Sequence, residues 1–133
     1  MSEANAITAG LLEELPKRYF MRVWRNNRVK TMAIGRGGRK RMINAGVDGQ
    51  GDISGIIYPF GRRVEIEVKA GSDPMSEAQK NFRRMILEHG GIYVIARDVD
   101  GALEDLALQL QKEERGRRGQ SFPAPDYGGT STP

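Results

Sequence analysis

The segment Arg63-Val64-Glu65-Ile66-Glu67-Val68-Lys69 decides how this chain folds. It alternates strictly, so a strand here puts Val64, Ile66 and Val68 on one face and Glu65, Glu67 and Lys69 on the other. The apolar face can anchor in a core while two acids and an amine gather on a second surface. Upstream, Ile53 to Tyr58 reads as a strand and Pro59-Phe60-Gly61 as a turn, which makes an antiparallel hairpin. Downstream, Ser76 opens a helix running to about His89. Gln79 stands at capping-box spacing from Ser76, and Ala78, Phe82, Met85 and Ile86 form the apolar stripe. Gly90-Gly91 stops this helix. Ile92 to Ala96 is a continuous apolar run, expected as a central strand. The β-α-β passage from Val64 through Ile95 favours a parallel pairing with a right-handed crossover.

Towards the N-terminus, Ser2 caps a helix to about Leu15, with Ile7, Leu11, Leu12 and Leu15 at helical spacing and Pro16 as its stop. Tyr19 to Arg25 reads as a strand, Asn26-Asn27 as a turn and Val29 to Ile34 as the partner strand. Gly35 to Gly49, with five glycines and four basic residues, reads as a loop able to fold around a ligand. Asp98 caps a last helix through about Glu114. From Gly116 onward the chain is rich in Gly, Pro, Ser and Thr, with Arg117 and Arg118 at its start, and is expected to be disordered. The order α-β-β-β-β-α-β-α describes one α/β domain over residues 1–115, a mixed β-sheet flanked by helices, with a tail at 116–133.

The 133 residues suit one domain, and the net charge of +4 is only mildly basic. Its distribution is more informative. Lys17, Arg18, Arg22, Arg25, Arg28, Lys30, Arg36, Arg39, Lys40 and Arg41 fall between Leu15 and Val47 without one Asp or Glu. Clustered charge of this kind draws a phosphate backbone, although a solvated face has the same composition. With no cysteine and a single histidine, His89, thiolate zinc sites and disulfide frameworks are excluded. A Ser-His-Asp triad would have to use that one histidine. No apolar run approaches a membrane span, and Met1 to Asn5 lacks the pattern of a signal peptide, so a cytoplasmic protein is expected.

Asp52 opens the first hairpin strand and Glu67 lies on the second, close enough to share one hard cation. The Val68 carbonyl could add a third ligand, and Mg²⁺ keeps several of its own waters, so few protein ligands suffice. Lys69 shares the acidic face and could orient or deprotonate an attacking water. Such a cluster beside a polyanion-binding surface suits metal-dependent phosphodiester hydrolysis. An E-x-E-x-K strand also fits a solvated face with cross-strand ion pairs. The Gly-Asp that begins the partner strand, the helix soon after Lys69 and the basic stretch upstream favour the chemical alternative.

Gly51-Asp52-Ile53, Glu67-Val68-Lys69, Ser76-Glu77-Ala78-Gln79 and Gly90-Gly91-Ile92-Tyr93-Val94-Ile95-Ala96-Arg97, in this order and spacing, resemble the VRR-NUC family. That is the virus-type replication-repair nuclease branch of the PD-(D/E)XK superfamily. Trp24-Arg25-Asn26-Asn27 resembles its early strand end, and the resemblance covers roughly Ser2 to Leu106. It implies a restriction-endonuclease-like core, with Asp52 and Glu67 binding Mg²⁺ or Mn²⁺ and Lys69 as the catalytic lysine. It also implies Gln79 facing the site, for which the capping box is the alternative role. Glu3, from the N-terminal helix, would complete the metal site, directly or through water. The family's Pro-Asp is Gly51-Asp52 here, which alters the turn and keeps the carboxylate. Small stand-alone members resemble phage-type Holliday-junction resolvases acting as homodimers on branched or duplex DNA.

Arg25, Asn26, Arg36, Arg39, Lys40 and Arg41 are the candidate DNA contacts. Trp24 is expected in the core, His89 as a helix cap, and Gly91-Ile92-Tyr93 as a chance match to another nuclease motif. Gly35 to Lys40 lacks the full pattern of a nucleotide phosphate loop. The rival functions are a non-catalytic DNA-binding module using the basic 17–41 segment, and a structural protein with a charged surface.

Overall fold

The strict alternation at 63–69 is realised in a seven-residue strand, Arg62–Val68, inside the sheet. In the computed structural model, residues 1–27, 30–44 and 47–118 are described, with 30–33, 41–44 and 113–118 described through their backbone. The elements are α1 (Glu3–Arg18), β1 (Met21–Arg25), β2 (Lys30–Ile34), a 3₁₀ turn (Arg36–Gly38), β3 (Lys40–Asn44), β4 (Ile53–Ile57), β5 (Arg62–Val68), α2 (Glu77–Glu88), β6 (Ile92–Ala96) and α3 (Val99–Arg118). Among the described residues this is a mixed α/β fold with three helices and a four-stranded mixed sheet in the order β1-β4-β5-β6. β1 and β4 are antiparallel, as are β4 and β5, while β5 and β6 are parallel.

The two faces of β5 carry different chemistry. Val64, Ile66 and Val68 join Ile53, Ile92, Val94 and Ala96 beneath Leu11 and Leu15 of α1 and Ala102, Leu103 and Leu106 of α3. Each such aliphatic side chain contributes roughly 1.5–3 kcal/mol by leaving water. On the opposite face α2 buries Phe82 and Ile86 against Tyr93, with Ile95 beside them. Glu65 and Glu67 lie on this second face and are also buried.

The hairpin and the expected caps of the first and last helices are present: the Ser2 side chain accepts from the Asn5 amide, and Asp98 Oδ1 accepts from Gly101 N at 2.6 Å. Several expectations are corrected. Pro16 does not end α1, which continues to Arg18. It sits in the last turn, where the missing N–H removes one ladder bond, and Tyr19 N still donates to Leu15 O at 3.1 Å. β2 pairs with β3 rather than β1, and the expected loop at 35–49 contains that extra strand. β1 pairs instead with β4, its line prolonged by Asn26 N donating to Asp52 O at 2.8 Å. Among the described residues β6 is an edge strand rather than a central one, and helices on both of its faces account for its continuous apolar character. α3 runs to Arg118, past the expected Glu114, and the rest of the tail, 119–133, lies outside the described residues.

Candidate active site at the end of the central hairpin

Antiparallel register sets the site. Ile53 faces Ile66 across β4 and β5, and continuing that register by one residue brings Asp52 opposite Glu67. Asp52 is held by the strand itself, because Val68 N donates to its Oδ2 at 2.8 Å. Glu67 is 5% exposed, and its Oε1 accepts from Gln79 Nε2 at 2.8 Å. The Lys69 ammonium lies 3.9 Å from the same oxygen, on the same face of the strand.

Gln79 fills both roles that the sequence offered as alternatives. Its Oε1 accepts from Ser76 N at 2.9 Å while Gln79 N donates to Ser76 Oγ at 3.2 Å, completing the capping box. Its amide nitrogen is then left pointing at Glu67. The cap that starts α2 therefore also fixes an acid of the site. The return segment before β4 closes against this corner. Gly49 has φ of +80°, and a Cβ there would collide with the Ala78 carbonyl.

Glu65, one pleat back, is fully buried and belongs to a polar network. Its Oε1 accepts from Ser54 Oγ and from Arg63 Nε, each at 2.7 Å. Asn26 Nδ2 donates to Ser54 Oγ at 2.6 Å and to Gly51 O at 2.9 Å. Both amide hydrogens of Asn26 thus hold the segment that carries Asp52. Among the described residues, Glu65 Oε2 and the Tyr93 hydroxyl are buried with no hydrogen-bond partner. These two residues are direct neighbours across β5 and β6. Burial first, then the carboxylates of Glu67 and Glu65, push the Tyr93 hydroxyl well above the ordinary tyrosine range, so it remains a neutral donor.

The remaining expected site residues are spread around this cluster. Glu3 is exposed in the first turn of α1, and no hydrogen bond or ion pair joins it to the acids among the described residues. Arg25 is exposed and donates to Asn5 Oδ1 at 3.0 Å. Arg36, Arg39 and Lys40 are exposed, while the Arg41 side chain lies outside the described residues. Trp24 is not core. It is 42% exposed, because α2 covers only the β5–β6 half of its face, and the Arg63 guanidinium lies 5.9 Å from its ring. His89 does cap α2, its Nδ1 lying 2.7 Å from Met85 O.

Tyr93 and Ser54 were missed as site residues. Parity on the neighbouring strands would have found them, since each faces Glu65 in register. Two surface hollows, lined by Phe20, Tyr58 and Pro59 and by Tyr58, Phe60 and Leu110, contain no acid and lie at the far ends of β1 and β4. Among the described residues, no group of three or more Asp, Glu, His or Cys side chains is placed to hold a metal ion alone, and no helix is long and apolar enough to cross a membrane. No family model matches the chain, and no curated protein matches it.

Proposed function

We propose that this chain is a Mg²⁺- or Mn²⁺-dependent DNA endonuclease with a VRR-NUC-like PD-(D/E)XK core, acting as a structure-selective, Holliday-junction-resolvase-like homodimer. The observation that carries this reading is the corner where Asp52 is pinned by the Val68 amide and Glu67 by the Gln79 amide, with Lys69 beside them. Solvated ion-pair faces do not bury two acids of one strand.

The donor set fits a hard cation that keeps much of its own water: two carboxylates and a nearby backbone carbonyl, with no soft ligand. A buried carboxylate oxygen without a donor, Glu65 Oε2, marks the same face as one that a cation or its hydration shell would satisfy. Asp52, Glu67 and the Val68 carbonyl would hold the ion, and Glu3 could reach it through water. When bound, it supplies Lewis-acid activation of water and neutralises charge on the phosphate. Lys69 orients the attacking water from the same side and offsets negative charge as it builds. Gln79 and the Val68 amide keep the two carboxylates from swinging away, which is the pre-organisation that catalysis requires.

The test is cleavage of labelled four-way junction, flap, duplex and single-stranded DNA in Mg²⁺, Mn²⁺ and EDTA. Metal-dependent cutting by the wild type should fall by about 10²–10⁴-fold in Asp52→Ala and Lys69→Ala. Undiminished cutting by both variants would sink the assignment. Salt-sensitive binding with no cutting in any metal would establish the DNA-binding module instead.

A further inference from the structure

β2 (Lys30–Ile34) and β3 (Lys40–Asn44) form a ribbon of their own. β2 and β3 pair with each other and with no other strand among the described residues. Both roots of this ribbon are fastened at the acid site. On the outgoing side Asn26 is bonded to Gly51 O, Ser54 Oγ and Asp52 O. On the return side Gly49 is seated against the Ala78 carbonyl, next to Gln79.

Five-residue strands extend about 14 Å. The tip is closed by Gly35 N donating to Arg39 O at 2.8 Å and turns through Gly37 and Gly38, both at positive φ. Arg36, Arg39 and Lys40 are exposed there, and Ile34 is 78% exposed. From Lys30 to Asn44 there is no acid and no aromatic residue. The charge selects a polyanion. The missing aromatics argue against single strands, whose binding sites combine charge with base stacking. A two-stranded β-ribbon matches the major groove of B-DNA, ~12 Å wide and ~8.5 Å deep.

We propose that the β2–β3 ribbon enters the major groove of duplex DNA and thereby sets where the backbone meets the acid site. This deepens the DNA-hydrolase reading and rests on it for the positioning role. Arg36 and Arg39 reach guanine edges or flanking phosphates, Lys40 a phosphate, and Ile34 a thymine methyl group.

The test uses the full chain in EDTA, so that binding is read without cutting. Affinity for a labelled duplex is measured against salt for the wild type and for R36A/R39A/K40A. The variant carries only exposed substitutions, and its melting temperature is checked first. The slope of log K against log[salt] should shrink by about two to three units. Methylation of guanine N7 should weaken the wild type and leave the variant indifferent. An unchanged slope would overturn the proposal, as would displacement by a minor-groove ligand with N7 methylation harmless. Failure of cleavage alone would count against the hydrolase and leave this result standing.

Discussion

The two faces of β5 bury residues equally well and for opposite reasons. Val64, Ile66 and Val68 disappear into a continuous aliphatic core, where every buried atom favours folding. One residue out of phase, Glu65 and Glu67 are as deeply buried, and their burial opposes folding unless each oxygen finds a partner. Glu67 has Gln79 and Lys69, and Glu65 has Ser54 and Arg63 on one oxygen only. A strand with one face built for stability and one built against it implies a use for the second face.

Paired substitutions should break that contrast most sharply. Ile66→Ala should destabilise the fold by roughly 2–5 kcal/mol, seen in denaturant unfolding, yet leave cleavage per folded molecule nearly unchanged. Glu67→Gln should do the reverse, cutting metal-dependent turnover by on the order of 10²-fold or more with a small change in unfolding. If both substitutions cost only stability, the polar face is structural and the contrast disappears.

The contrast was legible from sequence because alternation in 63–69 leaves no other register: a one-residue slip would put the acids in the aliphatic core. Caps and the main hairpin were legible for similar reasons, being local spacings. What could not be read was pairing at a distance. Asn26-Asn27 looked like a hairpin turn, yet the Asn26 amide reaches Gly51 and Ser54, more than twenty residues on, and sends β1 to β4. β3 was hidden because Lys40 and Arg41 disguise a strand as a charged loop, although a Gly-rich connection between two five-residue runs was the available sign. Trp24 was misplaced because its strand alternates correctly but its face is only half covered, a fact held by α2 and not by the strand.

Gly49→Ala probes whether the polar face depends on the backbone that closes it. Positive φ and the adjacent Ala78 carbonyl leave no place for a methyl group. A cost of roughly 1–3 kcal/mol is expected. Because the clash falls beside Gln79, turnover should fall along with stability, unlike the outcome for Ile66→Ala. A loss of stability with unchanged turnover would show that the segment before β4 closes the fold without holding the site.

Tyr93→Phe is the smallest change and separates the two purposes within one atom. The Tyr93 hydroxyl is buried without a partner among the described residues, a condition that costs folding roughly 1–3 kcal/mol. Removing it should therefore leave the protein as stable as before or more so, by about 1 kcal/mol. The same hydroxyl faces the Glu65 and Glu67 carboxylates as a neutral donor, so its loss should slow turnover, by on the order of tenfold, without weakening DNA binding. A pH series checks the placement independently. The folded pKa lies above the unfolded value, so the folded state holds the proton longer and stability falls as pH rises past about 10. That alkaline loss should be absent in Tyr93→Phe. A variant both stabler and slower would mean that this face retains an unfavourable group for its chemistry. One that is stabler at full speed would leave Tyr93 as packing and confine the site to Asp52, Glu67, Lys69 and Gln79.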